Sequence, residues 1–238
     1  MNLSLIVPVY NEELTIAKLL KKLYSVDFKD VNVVEVIVVN DCSTDHTKVA
    51  IENFIDENPG HKALKFVSHS INQGKGAAIR TGILHATGDY TIIQDADLEL
   101  DPGEINNLLM PVFRVNADVV YGSRFAGGKN PRSILSYWHS KANHFLTGFS
   151  NLLSIMNITD METCYKLVRT DVLKQIVIKE NRFGFEPEIT AKLGKMRHLI
   201  IYEVGISYYA RKSMEGKKIG WKDGVRAMWC IVKYNLLD

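Results

Sequence analysis

The sequence predicts an α/β fold, a mostly parallel central sheet flanked by helices. Three observations predict it. Apolar runs of strand length alternate with stretches of helical periodicity through the first half of the chain. One of those runs, residues 33–39, is nearly all β-branched and apolar, as a strand covered on both faces must be. The polar clusters fall immediately after the strands, at the carboxyl ends where such sheets bind ligands.

The elements follow in order. Residues 3–9 form the first strand. Asn11 is the expected N-cap of the next helix, with Glu12 and Glu13 in its first turn, where the helix dipole favours acids. Ile16, Leu19, Leu20 and Leu23 give that helix its apolar face. After the second strand (33–39), Ser43 or Asp45 caps a helix whose core face is Val49, Ile51, Phe54 and Ile55. Residues 64–67 are a third strand, 75–86 a helix and 90–94 a fourth strand. Asp101 and Pro102 open another helix, with proline at the first position, where its missing N–H costs nothing. Residues 119–121 are a fifth strand. Farther on, 134–156 reads as an amphipathic helix, 200–207 as a strand and 225–237 as a helix striped with Ala227, Met228, Ile231, Val232 and Leu236. That last stripe suits packing on the domain, on a partner subunit or on a membrane.

Composition narrows the function. The chain has 238 residues, 46% of them hydrophobic and 24% charged, ordinary values for a soluble globular protein. A formal net charge of +2 does not point to nucleic acid. Cys42, Cys164 and Cys230 are scattered, odd in number and without metal spacing, so a reducing cytosol is expected. No basic segment precedes the first apolar stretch and Pro8 interrupts it, so no secretory signal is expected. No run approaches the roughly 20 apolar residues of a membrane span. Any work at a membrane is then expected from its surface, with a cytoplasmic, peripheral location.

The sharpest chemical signal is Gln94-Asp95-Ala96-Asp97-Leu98-Glu99, directly after the fourth strand. Two carboxylates one residue apart at a strand tip can hold a hard cation such as Mg²⁺ or Mn²⁺, which shares its shell with substrate phosphates. Two solvated loop acids are the plain alternative. Other strand ends carry Pro8-Val9-Tyr10-Asn11-Glu12, Asn40-Asp41 and Gly122-Ser123-Arg124, which together make a site. Asp41 can accept N–H or O–H donors from a nucleobase or ribose, or serve a turn. Asn72-Gln73-Gly74-Lys75-Gly76 is not a Walker loop, because His69 stands where the first glycine belongs and Gly76 where Ser or Thr is required. A tight turn feeding a helix is the favoured reading. The alternative brings glycine amides and Lys75 to a phosphate. The first strand–turn–helix contains no glycine, which disfavours dinucleotide chemistry.

Taken in order, these five motifs (residues 7–13, 40–45, 72–76, 88–97 and 122–125) resemble family 2 glycosyltransferases of the GT-A fold. Within that family the chain is most similar to the polyprenyl- and dolichyl-phosphate mannose and glucose synthases, over nearly its whole length. The resemblance implies one Rossmann-like GT-A domain over 1–238, with a nucleotide-sugar-binding half (1–125) and an acceptor- and membrane-facing half (126–238). It implies that Pro8, Tyr10, Glu12, Val39 and Asp41 hold the donor nucleotide. Asp95, Ala96 and Asp97 would contact the donor, with Asp97 on the metal and Glu99 as a second metal contact, where mannose synthases often carry Gln. Arg124 matches a basic residue near the diphosphate, and Arg211 and Lys217 a basic pair on a loop over it. Cys42 stands where many relatives have Gly.

The same resemblance places Asp160 and Glu186 as candidates on the acceptor side, although core hydrogen bonding or a helix start fits Glu186 equally. It favours a bilayer surface for the aromatic and basic helix 134–156. The implied reaction is metal-assisted, inverting transfer from GDP-mannose or UDP-glucose to a polyprenyl phosphate, with Asp95, Asp97 and Arg124 at the reacting centre. A glycan or soluble acceptor, or a non-catalytic nucleotide-sugar-binding protein, are the alternatives, and an oligomer fits either. A nucleotidyltransferase is weaker, lacking a glycine- and basic-rich signature near the first strand.

Overall fold

The computed structural model describes residues 1–60, 63–126, 137–210 and 221–238. Its centre is β1 (Asn2–Val9), which pairs in parallel with β2 (Asn32–Asn40) on one side and β4 (Tyr90–Ile93) on the other. Beyond β2 lies β3 (Leu64–Ser68), also parallel. The sheet has seven strands in the order β3-β2-β1-β4-β6-β5-β7, where β5 is Val119–Ser123, β6 Lys166–Arg169 and β7 Ile201–Gly205. It is largely parallel. The exception is β6, which runs antiparallel between β4 and β5.

The helices follow from the apolar stripes. In α1 (Ile16–Ser25) the residues Ile16, Leu19, Leu20 and Leu23 are buried as their spacing predicts. In α2 (Thr47–Glu57) Ile51 and Phe54 are buried. Against α3 (Lys75–His85), Gly82 lets the helix lie on β1, since a Cβ there would strike the Ile6 side chain. Asp101 Oδ1 accepts the Gly103 N–H, with Pro102 opening a turn of 3₁₀ helix that runs into α4 (Ile105–Val115). Later come α5 (Tyr137–Ser154), α6 (Thr170–Gln175), α7 (Phe185–Lys195) and α8 (Trp221–Val232).

Several expectations change. The first helix begins at Ile16, preceded by Thr15, and not after an Asn11 cap. Asn11 instead takes φ 53° and binds across to the 43–44 loop: its Oδ1 accepts the Thr44 N–H at 2.8 Å. Val49 is 49% exposed, because the helix turns Ile51 and Phe54 inward, Phe54 against Tyr24 of α1. The predicted strand 200–207 spans Ile201–Gly205, and the helix expected over 134–156 is Tyr137–Ser154. The last helix starts earlier and ends at Val232. Residues Lys233–Leu237 relax into a π turn. Of its stripe, Ala227 and Ile231 are buried, whereas Met228 and Leu236 face solvent. Among the described residues, no helix is long and apolar enough to cross a membrane.

Candidate active site

The carboxyl ends of β2, β1 and β4 lie side by side and that of β5 follows across the antiparallel β6, which brings the predicted residues to one rim of the sheet. Pro8 and Val39 are partners across the β1–β2 pair and are buried. Tyr10 and Glu12 leave β1 half-buried, and the Glu12 N–H donates to Thr47 Oγ1 at 2.7 Å.

Asp41 directly follows β2 and is only 2% exposed. Its Oδ1 accepts from Gln73 N at 2.9 Å and lies 2.7 Å from His69 Nδ1. Its Oδ2 accepts from Gly74 N at 2.6 Å. His69 Nε2 in turn lies 2.9 Å from Thr81 Oγ1. A carboxylate only accepts, so Nδ1 carries a proton, and in the neutral ring Thr81 donates to Nε2. Asp41 therefore ties the tip of β2 to the 72–74 turn. Gly74 sits at φ +99°, where glycine is at ease and other residues are strained. The turn reading of 72–76 holds: the amides of Gln73 and Gly74 bond Asp41.

Lys75 points into the rim. Its Nζ is 3.0 Å from Asp95 Oδ1 and 3.2 Å from Glu186 Oε1. Burial works against its charge, but Asp95 and Glu186 outweigh that and hold its pKa well above the usual lysine value. Burial alone would raise Asp95. Lys75 reverses this and lowers it. Ala96 is buried, and Asp97 and Glu99 are half-buried on the loop beyond. Asp97 Oδ1 accepts the Glu99 N–H at 3.0 Å, and Glu99 Oε2 accepts the Tyr208 hydroxyl at 2.7 Å.

Arg124 follows β5. Its Nε and Nη2 bind the two oxygens of Asp160 at 2.7 and 2.9 Å, and its own N–H donates to Asp160 Oδ2 at 3.0 Å. Tyr208 places its ring 5.3 Å from the guanidinium. Burial opposes the charge, yet Asp160 raises the Arg124 pKa above its already high value. Asn143 of α5 also donates to Asp160, which is fully buried. Glu186 lies in the first turn of α7 and is 4% exposed. Arg211 and Lys217 lie outside the described residues.

The structure adds groups that the sequence did not single out for the site. Lys75, weighed only as a phosphate ligand, is the ion-pair partner of two of the site's acids. Tyr208 bridges Glu99 and Arg124. His69 fixes Asp41. Lys166 is buried and bonded to the carbonyls of Met161 and Thr163. Glu162 has an oxygen buried without a partner. The only sequence signal for these last two was their place in an acid- and lysine-bearing segment that runs into β6.

Among the described residues no cluster of three or more His, Cys, Asp and Glu forms a closed metal cage. The half-buried Asp97 and Glu99 offer a different donor set, two hard carboxylates on the loop after β4. That set suits Mg²⁺ or Mn²⁺.

Residues 4–177 match the family model described as glycosyl transferase family 2. A dolichyl-phosphate beta-glucosyltransferase of Trichomonas vaginalis is 33% identical over 79% of this chain and 59% of its own length. A dodecaprenyl-phosphate galacturonate synthase of Rhizobium johnstonii is 27% identical over 89% of this chain and 60% of its own. This chain thus spans about six-tenths of the length of these curated relatives. Among solved structures, glucosyl-3-phosphoglycerate synthase of Mycobacterium tuberculosis, crystallised with Mn²⁺, UDP and glucosyl-3-phosphoglycerate, superposes with a TM-score of 0.73. It is 15% identical, and the match covers 98% of this chain and 80% of that one.

Proposed function

The chain belongs to glycosyl transferase family 2, and from that premise we propose that it moves a sugar from a nucleotide-diphosphate donor to a polyprenyl phosphate. The observation that carries the proposal is the meeting, on one rim of the sheet, of Asp95, Asp97 and Glu99 with Arg124 and Lys75. Those are the charges a departing nucleotide diphosphate requires. Pro8, Tyr10, Glu12, Val39 and Asp41 line the nucleotide end. Asp97 and Glu99 would hold Mg²⁺ or Mn²⁺, which when bound supplies Lewis-acid neutralisation of the diphosphate. The relatives named for dolichyl and dodecaprenyl phosphate support the acceptor class.

Each side chain has a part in the chemistry. Asp160 grips the Arg124 fork at two points, fixing its plane so that it meets phosphate oxygens without reorganising. Lys75 sets Asp95 beneath the donor sugar. The acceptor phosphate is already an anion, so its oxygen attacks C1 directly and inverts the anomeric centre. Arg211 and Lys217, outside the described residues, would add positive charge for the diphosphate. The apolar side chains of the C-terminal helices suit a bilayer surface that presents the lipid: Phe145 and Leu152 on α5 are 62% and 74% exposed, and Trp229 on α8 is 50% exposed.

The test is a panel of labelled GDP-mannose and UDP-glucose with polyprenyl phosphate in vesicles, with Mn²⁺, Mg²⁺ or chelator. Label in the organic extract with one donor, lost on chelation, is the expected result. Transfer only to soluble acceptors, or no turnover with any donor, would replace this reading.

A further inference from the structure

We propose that Glu162 and Glu186 share one proton in the resting protein, and that this proton lowers the negative charge that an acceptor phosphate meets. The second clause rests on the acceptor-side placement of Asp160 and Glu186 in the proposed function. The first stands on the structure alone.

Two carboxylate oxygens in the site are buried without a hydrogen-bond partner: Glu162 Oε1 and Glu186 Oε2. Buried polar atoms almost always find partners, and two orphaned acceptors in acids that repel one another favour uptake of a proton. A proton on one of them turns an unpartnered acceptor into a donor and removes one of the two charges. The charge balance points the same way. Packed together are the acids Asp95, Asp160, Glu162 and Glu186 and the cations Lys75, Arg124 and Lys166. With every group ionised these seven carry one surplus negative charge, which one proton removes; Glu203 of β7 stands at their edge as a further carboxylate, on the Thr159 and Asp160 amides.

The partners decide where that proton rests. Glu186 has Lys75 at 3.2 Å and stands in the first turn of α7, where the helix dipole favours an anion. Glu162 has no cation in contact among the described residues. Lys166 spends its ammonium on carbonyls, and Arg124 on Asp160. The proton therefore rests chiefly on Glu162. Burial first, and then the charge of Glu186, push the Glu162 carboxyl up to about 7, against the pull of Lys166 and Arg124. The groups facing the pair come from every neighbouring element. They are Lys75 of α3, Asp95 after β4, Arg124 after β5, Asp160, Cys164 and Lys166 around β6, and Glu203 of β7, which accepts from the Thr159 and Asp160 amides. Such a pair titrates as a unit.

Loss of the proton leaves a bare negative charge where an anionic phosphate must bind. The kcat/KM for polyprenyl phosphate should therefore fall, relative to Glu162→Gln, as pH rises from about 6 to about 8.5. Glutamine has the shape of the protonated acid and supplies the same donor. The acceptor's own ionisation is common to both proteins, so their ratio isolates the pair. The expected result is a wild-type to E162Q ratio that drops about tenfold across this range, with the donor KM of the two proteins equal. Infrared difference spectra of the acceptor-free protein should show a protonated-carboxyl band at low pH that fades through neutrality. That band should be missing in E162Q and fade at lower pH in E186Q. An E162Q protein that binds donor yet is inactive at every pH would make Glu162 a base and overturn the proposal. So would a constant ratio, or a carboxyl band unchanged in E162Q. If no polyprenyl phosphate accepts sugar at all, the functional reading fails while the infrared band still decides the shared proton.

Discussion

Lys75 Nζ lies 3.0 Å from Asp95 and 3.2 Å from Glu186, so one ammonium joins the tip of β4 to the first turn of α7. These residues are separated in sequence by strands and helices. Their meeting binds the donor-side acids to the segment proposed to face the acceptor. The remaining predictions extend outward from this joint.

Asp97→Ala removes a proposed metal contact from a half-buried loop position, where Asp97 Oδ1 accepts the N–H of Glu99, two residues away. Metal-dependent sugar transfer should drop by at least about 100-fold, the scale of losing a group that stabilises developing charge. The circular dichroism spectrum and melting temperature should stay near wild type. Retained Mn²⁺-stimulated transfer in Asp97→Ala would count decisively against the assignment.

Asp160→Asn leaves the Arg124 guanidinium in place without its anionic partner. Breaking a buried pair from one side costs about 3–5 kcal/mol. Urea denaturation should show that loss, and UDP or GDP affinity should weaken as the fork loses its orientation. A double variant, Arg124→Met with Asp160→Leu, should recover stability but not activity, which separates the two roles.

Asn at position 69 can place its side-chain N–H where His69 Nδ1 donates to Asp41, whereas Phe cannot. His69→Asn should therefore keep nucleotide-diphosphate affinity within a few-fold of wild type, and His69→Phe should lose roughly tenfold, the scale of one charge-assisted hydrogen bond. Thermal shift with UDP and GDP reads this directly. Equal affinities for the two variants would show that Asp41 does not need His69.

Gly74→Ala combines two obstacles. The φ of +99° disfavours any side chain, and a Cβ would lie 2.5 Å from the Asn181 carbonyl oxygen. A loss of about 1–3 kcal/mol is expected. Donor affinity should fall as well, because the turn carries the amides that hold Asp41.

Stability itself should respond to pH through Glu162. Burial and then Glu186 raise this carboxyl from 4.5 to about 7. Between those values the native state binds the proton that the unfolded chain has released. Stability therefore declines as pH rises through that window, by on the order of 1–3 kcal/mol. In Glu162→Gln this component of the slope should vanish in urea titrations run between about pH 5 and pH 8.

Much of the fold was legible in local pattern. The stripe of α1, the β-branched run of β2 and the Asp101-Pro102 helix start report forces acting within a few residues, and each appears where expected. The acids and Arg124 at the strand ends were legible too, since chain order and a largely parallel sheet already put strand ends on one rim. The strand β6 was not. Its four residues, Lys166–Arg169, carry a buried lysine, and they earn their place only by filling the gap between β4 and β5 in antiparallel register. Asn11 was misread because an Asn before a helix usually caps it, whereas here its side chain is engaged by Thr44 from the next loop.

By itself, then, the sequence determined the alternation of strands and helices, the family, and which acids and bases stand at the rim, because periodicity and motif order are properties of the chain alone. Only the tertiary structure decided which charge answers which. Lys75 went to Asp95 and Glu186, Arg124 to Asp160, His69 to Asp41, and Glu162 was left with an orphaned oxygen. Electrostatic pairing depends on distance and burial in space, and those exist only once remote segments have packed.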